Sequence, residues 1–252
     1  MAMRNNTLSP VAASGKANRE ELASMLDRGV AVLTEDDALS ILDHAFVTSA
    51  IIQKIAQDPR LSSYYSVRLK LVAHRKTPQM YAAKLVHYLH WFDLVRISVD
   101  VMVPAPVRRA IDTQLLARVT QLTLGERIAS ARRCSAALIK YLLFDPDPKV
   151  FAALLVNQRL REEELLALIA SGRATRDQLS LLANDIKWSF RYAIRKALVL
   201  NPTTPRSVAA AQLRHLTVAD LRNLYHRAET SVYLRRCIER LRAETVSHRS
   251  RS

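Results

Sequence analysis

Apolar residues in this chain recur in short stripes that shift by a helical step and then break. Ala193, Ile194, Ala197 and Leu198 fall at i, i+1, i+4 and i+5, the inner stripe of a short helix. Asn201-Pro-Thr-Thr-Pro205 ends that stripe, because proline disfavours helical geometry in the residue before it. Thr204 is placed to cap the next helix, with Pro205 at its first position. A second helix is predicted over 205–214 and a shorter third over 218–225. The preceding segment repeats the plan, with helices over 148–156, 162–170 and, after the stop at Ser171-Gly172, 175–183. Helices of about ten residues are too short to bury an apolar stripe alone, so they must stack.

The pattern repeats at a larger scale. Shifted by 127 residues, 34–111 matches 161–238 without gaps, with 20 identities in 78 positions. Tyr65-Ser-Val-Arg68 falls on Tyr192-Ala-Ile-Arg195, Thr77-Pro78 on Thr204-Pro205, Asp93-Leu94 on Asp220-Leu221, and Arg108-Arg109 on Arg235-Arg236. Acidic runs keep their places too, Glu35-Asp-Asp37 against Glu162-Glu-Glu164. Within each half, a small residue expected on the inner face recurs at Ser66, Ala110, Ala152, Ala193 and Cys237, at spacings of 44, 42, 41 and 44. The block of 127 is therefore about three units of 42.

Composition agrees with helix throughout. Hydrophobic residues make up 49% of the 252 residues and aromatics 6%, with four glycines in all. Sheet proteins draw on turn glycines and on β-branched or aromatic strand residues, and this chain is rich in Leu, Ala and Arg instead. The expected fold is all-α: a right-handed α-solenoid of about six repeats of about 42 residues, arranged as two duplicated halves near 20–118 and 147–245. Residues 1–19, which contain no acid, read as a disordered tail or an organelle transit peptide, and 246–252 as a loose basic tail. No 18-residue apolar run and no secretory h-region occur, so the default location is cytoplasmic.

Helical units of this length, with Val/Ile-Arg early in one helix, resemble HEAT and armadillo repeats. Asn201-Pro-x-Thr-Pro205 followed by Val208 and Ala209 resembles leucine-rich variant repeats of bacteria. Leu122-Thr-Leu-Gly-Glu126 and Asp145-Pro-Asp-Pro148-Lys-Val resemble segments of bacterial HEAT-like proteins. The resemblance covers roughly 20–245 and implies the solenoid. It is nearly silent on activity, since such repeats serve as scaffolds, adaptors and a few nucleic-acid enzymes. The iron–sulfur cysteine cluster linked to one variant-repeat protein has no counterpart here, and no cofactor is expected.

Candidate chemistry is sparse. His87-Tyr-Leu-His90 sets two imidazoles at i, i+3, but no third or fourth metal ligand accompanies them, and surface or half-buried histidines are the plainer reading. Cys134 and Cys237 have no CxxC neighbour, and Cys237 fills the slot of Ala110, a small core position. The acidic runs open helices, where carboxylates meet the positive end of the dipole. Trp91 aligns with Val218 and Trp188 with Leu61, both apolar, which favours core packing over base stacking. Trp91 with Asp93 is the nearest pair to what a HEAT-like DNA glycosylase needs, yet Asp93 recurs as Asp220 beside a non-aromatic residue.

Charge changes the picture most. The net charge is +15, distributed unevenly: 20–58 carries eight acids and two bases, a net of −6, and 60–133 thirteen bases and four acids, a net of +9. Bases present in both copies (Arg68/Arg195, Arg108/Arg235, Arg109/Arg236) are expected to serve the fold. Bases without a charged twin, Arg75, Lys76, Lys84 and Arg96, together with Arg132 and Arg133, are the candidate partner-binding residues. The reading is a non-enzymatic scaffold binding an acidic partner, nucleic acid first and an acidic protein surface second, because neutralising phosphates needs no sequence motif.

Overall fold

The computed structural model describes residues 23–24 and 29–249, with side chains through 244; the N-terminal tail read at 1–19 lies outside the described residues. Fifteen α-helices run from Glu35 onward, and among the described residues there is no strand. In chain order they are α1 (Glu35–Asp43), α2 (Ser49–Gln57), α3 (Tyr65–Ala73), α4 (Gln79–Val86), α5 (Trp91–Ser98), α6 (Ala105–Arg118), α7 (Leu124–Ala131), α8 (Ala136–Leu142), α9 (Pro148–Leu155), α10 (Glu162–Ala170), α11 (Arg176–Asn184), α12 (Tyr192–Leu200), α13 (Arg206–Leu213), α14 (Val218–His226) and α15 (Val232–Arg249). No described helix is long and apolar enough to cross a membrane.

The chain divides into two compact units, 1–118 and 119–252. In the first unit α1 packs on α3, α3 on α4, and both α4 and α5 on α6. In the second, α7 packs on α9 and α9 on α11; then α10 packs on α12, α12 on α13, and both α13 and α14 on α15. Adding 127 to the bounds of α1, α2, α3 and α4 gives the bounds of α10, α11, α12 and α13 without a residue of error, and α5 and α6 start where α14 and α15 do.

The turns recur with the helices. Thr34 caps α1 in a capping box with Asp37, and Arg161 N–H donates to Glu164 Oε2 at 3.0 Å at the same point of α10. Thr48 and Thr175 cap α2 and α11. Asp58 Oδ1 accepts from Arg60 and Leu61 N–H at 2.9 and 3.1 Å; Asp185 Oδ1 accepts from Lys187 and Trp188 N–H at 2.9 and 3.0 Å. Gly172, at φ 69, closes α10 in the left-handed conformation that a side chain disfavours.

Helix C-termini leave carbonyls that need donors. Side chains from later in the chain supply them, reaching back 26 to 35 residues. Arg60 Nη1 donates to Leu33 O at 2.6 Å and Arg118 Nη1 to Leu89 O at 3.0 Å. Asn157 donates to Ala131 O at 2.8 Å, Gln178 to Asp145 O at 3.1 Å and Asn201 to Ile169 O at 2.7 Å. Each layer thus caps an earlier one with hydrogen bonds as well as apolar contact.

Three expectations need correction. The inner face is displaced by one residue: Ser66, Ala110, Ala152 and Cys237 are half-buried and Ala193 is exposed. Their successors Val67, Ile111, Ala153, Ile194 and Ile238 are the buried ones, at 0, 0, 6, 0 and 0% exposure. The buried stripe of α12 is Ile194, Leu198 and Val199, and one residue along a helix is a turn of about 100°, which carries Ala193 off it. Second, Thr204 does not cap α13. Pro205, at φ −54 and ψ 134, holds the cap position itself, and Pro78 does the same for α4. Third, α15 runs to Arg249, into the stretch 246–252 read as a loose tail; residues 250–252 lie outside the described residues.

Candidate nucleic-acid interface

The six bases singled out in the sequence stand on separate elements. Arg75 is exposed in the α3–α4 turn. Lys76 is spent on the fold: its Nζ donates to Val47 O at 2.6 Å, in the manner of the other cross-layer donors. Lys84 is exposed on α4, beside a shallow depression of about 450 Å³ that it forms with Ala83, His87 and Tyr88. Arg96 pairs with Asp93 at 3.1 Å, one helical turn back. Arg132 and Arg133 are exposed at the end of α7, in the second unit.

The twinned arginines serve the turns. Arg68 Nε donates to Ser62 O at 3.0 Å, and Arg195 Nε to Ser189 O at 2.5 Å, the same bond 127 residues on. Arg108 Nε donates to Val103 O at 3.1 Å and Arg235 Nη2 to Arg227 O at 3.0 Å. Arg109 and Arg236 are exposed.

The acid considered for catalysis is held by its neighbours. Tyr65 donates to Asp93 Oδ2 at 2.5 Å, and Arg96 occupies Oδ1. Its counterpart Asp220 accepts from Tyr192 and from Lys196 Nζ at 2.8 Å; the Lys196 bond, then the Tyr192 bond, holds this carboxyl below the usual range. Trp91 is 8% exposed and Trp188 3%, the latter donating its indole N–H to Leu155 O at 3.1 Å. His87 and His90 are exposed, and among the described residues no three potential ligands gather around a metal position.

What the sequence reading missed is a set of surface aromatics with cations on their faces. Arg68 lies 4.9 Å from the centroid of Tyr88, Arg173 4.1 Å from Phe144, and Arg195 5.6 Å from Phe190. The three rings are exposed. Two of these cations belong to the twinned class, so an arginine that braces a turn also covers a ring.

The most built of these places is a groove of about 510 Å³ in the second unit, shaped by α7, α8 and the turn between α10 and α11. The buried face of α8 is Leu138, Ile139 and Leu142, which turns Lys140 and Tyr141 outward. Phe144 follows at the helix end with Arg173 over it. The floor is an ion pair: Arg127 Nε stands 2.8 Å from Asp145 Oδ2, whose side chain is 7% exposed. Asp145 is fixed in turn, its Oδ1 accepting Asp147 N–H at 3.0 Å and its carbonyl oxygen the Gln178 amide. With Arg127 neutralised by Asp145, the groove keeps the charges of Lys140 and Arg173, neither of which forms an ion pair among the described residues. Aromatics off the buried stripe of α8 were the available signal.

No family model matches this chain, and neither a curated protein nor a solved structure is detectably similar to it.

Proposed function

We propose that this chain is a non-enzymatic helical-repeat scaffold, a right-handed α-solenoid of about six HEAT- or armadillo-like units, that binds nucleic acid through basic surfaces. The observation that carries this reading is the recurrence of exposed aromatic rings with an arginine over the face, at Tyr88, Phe144 and Phe190. A cation beside a ring offers a phosphate its charge and a base its stacking partner. The excess of +15 and the exposed Arg75, Lys84, Arg132 and Arg133 supply the wider field that draws a polyanion in. Neither Cys134 nor Cys237 forms a disulfide, which suits a reducing compartment such as the cytoplasm.

The test is fluorescence anisotropy of labelled oligonucleotides against the full chain over a series of salt concentrations. Binding should weaken linearly in log–log form, by about 0.7 per neutralised phosphate for single strands and about 0.9 for duplex. No binding at low salt, or binding indifferent to salt, removes nucleic acid as the partner.

A further inference from the structure

We infer that the groove formed by α7, α8 and the α10–α11 turn is a subsite for a single-stranded nucleotide unit. Its base would lie against Tyr141 and Phe144, and its phosphate against Lys140 and Arg173. This rests on the reading of the chain as a nucleic-acid binder and names the form of nucleic acid that the groove takes. Cations alone do not separate single strands from duplex, since both present phosphates. Exposed ring faces do, because a paired base is already stacked on its neighbours and an unpaired one is free to find a new partner.

The groove has the parts and the rigidity for this. Tyr141 is 45% exposed and Phe144 39%, so both rings combine an anchored edge with an open surface. Arg173, 4.1 Å over the Phe144 centroid, covers that face of the ring and adds a guanidinium, itself a stacking group, to the platform. Lys140 stands beside Tyr141 on α8 and supplies a mobile point charge. Beneath them, Arg127 and the buried Asp145 lock α7 to the loop that follows α8, and Arg127 Nη1 also donates to Leu122 O at 3.2 Å. The floor is therefore occupied by an ion pair, and the charge left to a ligand is that of Lys140 and Arg173, where a phosphate can reach it. A volume of about 510 Å³ is within the range of sites that hold a ligand the size of one nucleotide.

The probes are a labelled oligothymidylate and a duplex of equal length, each titrated with the full chain. Phe144→Ala and Tyr141→Ala should each weaken single-strand binding about tenfold, the loss of one stacked base, while duplex affinity holds. Lys140→Gln and Arg173→Gln should each flatten the single-strand salt slope by about 0.7. Tyr141→Phe keeps the ring and should bind as the parent does. Circular dichroism checks folding, and if Phe144→Ala loses helicity, Phe144→Leu decides the question by keeping bulk without a π face. Unchanged single-strand affinity in both ring variants, or equal loss toward duplex, overturns the subsite and leaves the wider reading standing. A parent chain that binds neither probe overturns both.

Discussion

The Tyr65 hydroxyl donates to Asp93 Oδ2 at 2.5 Å and accepts the His90 amide at 3.1 Å, so one side chain of α3 fixes the start of α5. Tyr192 does the same at the start of α14, donating to Asp220 and accepting the Thr217 amide at 3.2 Å. Asp93 keeps Arg96 as its cation, whereas Asp220 takes Lys196 from the adjacent helix. A tyrosine and an aspartate 28 residues apart thus make a brace that recurs at a shift of 127. Tyr65→Phe and Tyr192→Phe should each lower stability by about 1–2 kcal/mol, read from urea unfolding. A neutral effect in both would show that the brace is incidental.

The displaced inner face gives a sharper test. Ile194→Ala should cost about 2–5 kcal/mol, as deletion of a fully buried branched side chain does. Ala193→Asp, one residue earlier on an exposed position, should change stability by about 0.5 kcal/mol or less. Thermal or chemical unfolding of the two variants separates the registers; a collapse of the Ala193 variant would restore Ala193 to the core.

Thr77 and Thr204 are equivalent, 4% and 6% exposed, and neither hydroxyl has a hydrogen-bond partner among the described residues. Thr204 was expected to cap the next helix, but Pro205 holds the cap position, as Pro78 does after Thr77, with no side-chain cap bond at either helix. A buried hydroxyl without a partner costs free energy, so Thr77→Val and Thr204→Val should raise stability by about 1 kcal/mol each. Loss of stability in both would mean that the hydroxyls are satisfied in solution.

His74 shows how the two copies solve one turn with different chemistry. Its Nδ1 accepts the Lys76 amide at 3.1 Å, where Asn201 Oδ1 accepts the Thr203 amide at 2.8 Å. Burial first, then the cations of Lys76, Arg75 and Lys70, hold the imidazole below its ordinary value. The unfolded chain therefore binds a proton where the folded chain does not. This group's contribution to stability falls as pH drops below about 6.5 and levels off below the folded value. His74→Asn keeps the turn bond and removes that slope, so its unfolding midpoint between pH 7 and 5 should fall less than the parent's.

The helix plan was legible because its signals are local. Prolines, threonine caps and acidic first turns mark where many of the helices begin, though not α3 or α12, and the 127-residue shift places them twice. The inner face was misread by one position because alanine sits equally well on a buried or an exposed stripe, and only the branched residues beside it, Val67 and Ile194, declare the core. Lys76 looked free in the sequence because its partner, the Val47 carbonyl, lies 29 residues away. Arg173 and Phe144 were invisible for the same reason: nothing local links them until α10 and α11 fold back beside α8. The residues proposed to bind are therefore ones a linear reading had no means to pair.

Photocrosslinking of a single-stranded oligonucleotide to the full chain, with the adducts located by mass spectrometry, tests the central claim most directly. The account predicts adducts on the surface aromatics that carry an arginine or line the basic groove, Tyr88, Tyr141, Phe144 and Phe190, fading as salt is raised. The absence of adducts on all four, or adducts confined to the acidic stretch 35–58, would contradict it.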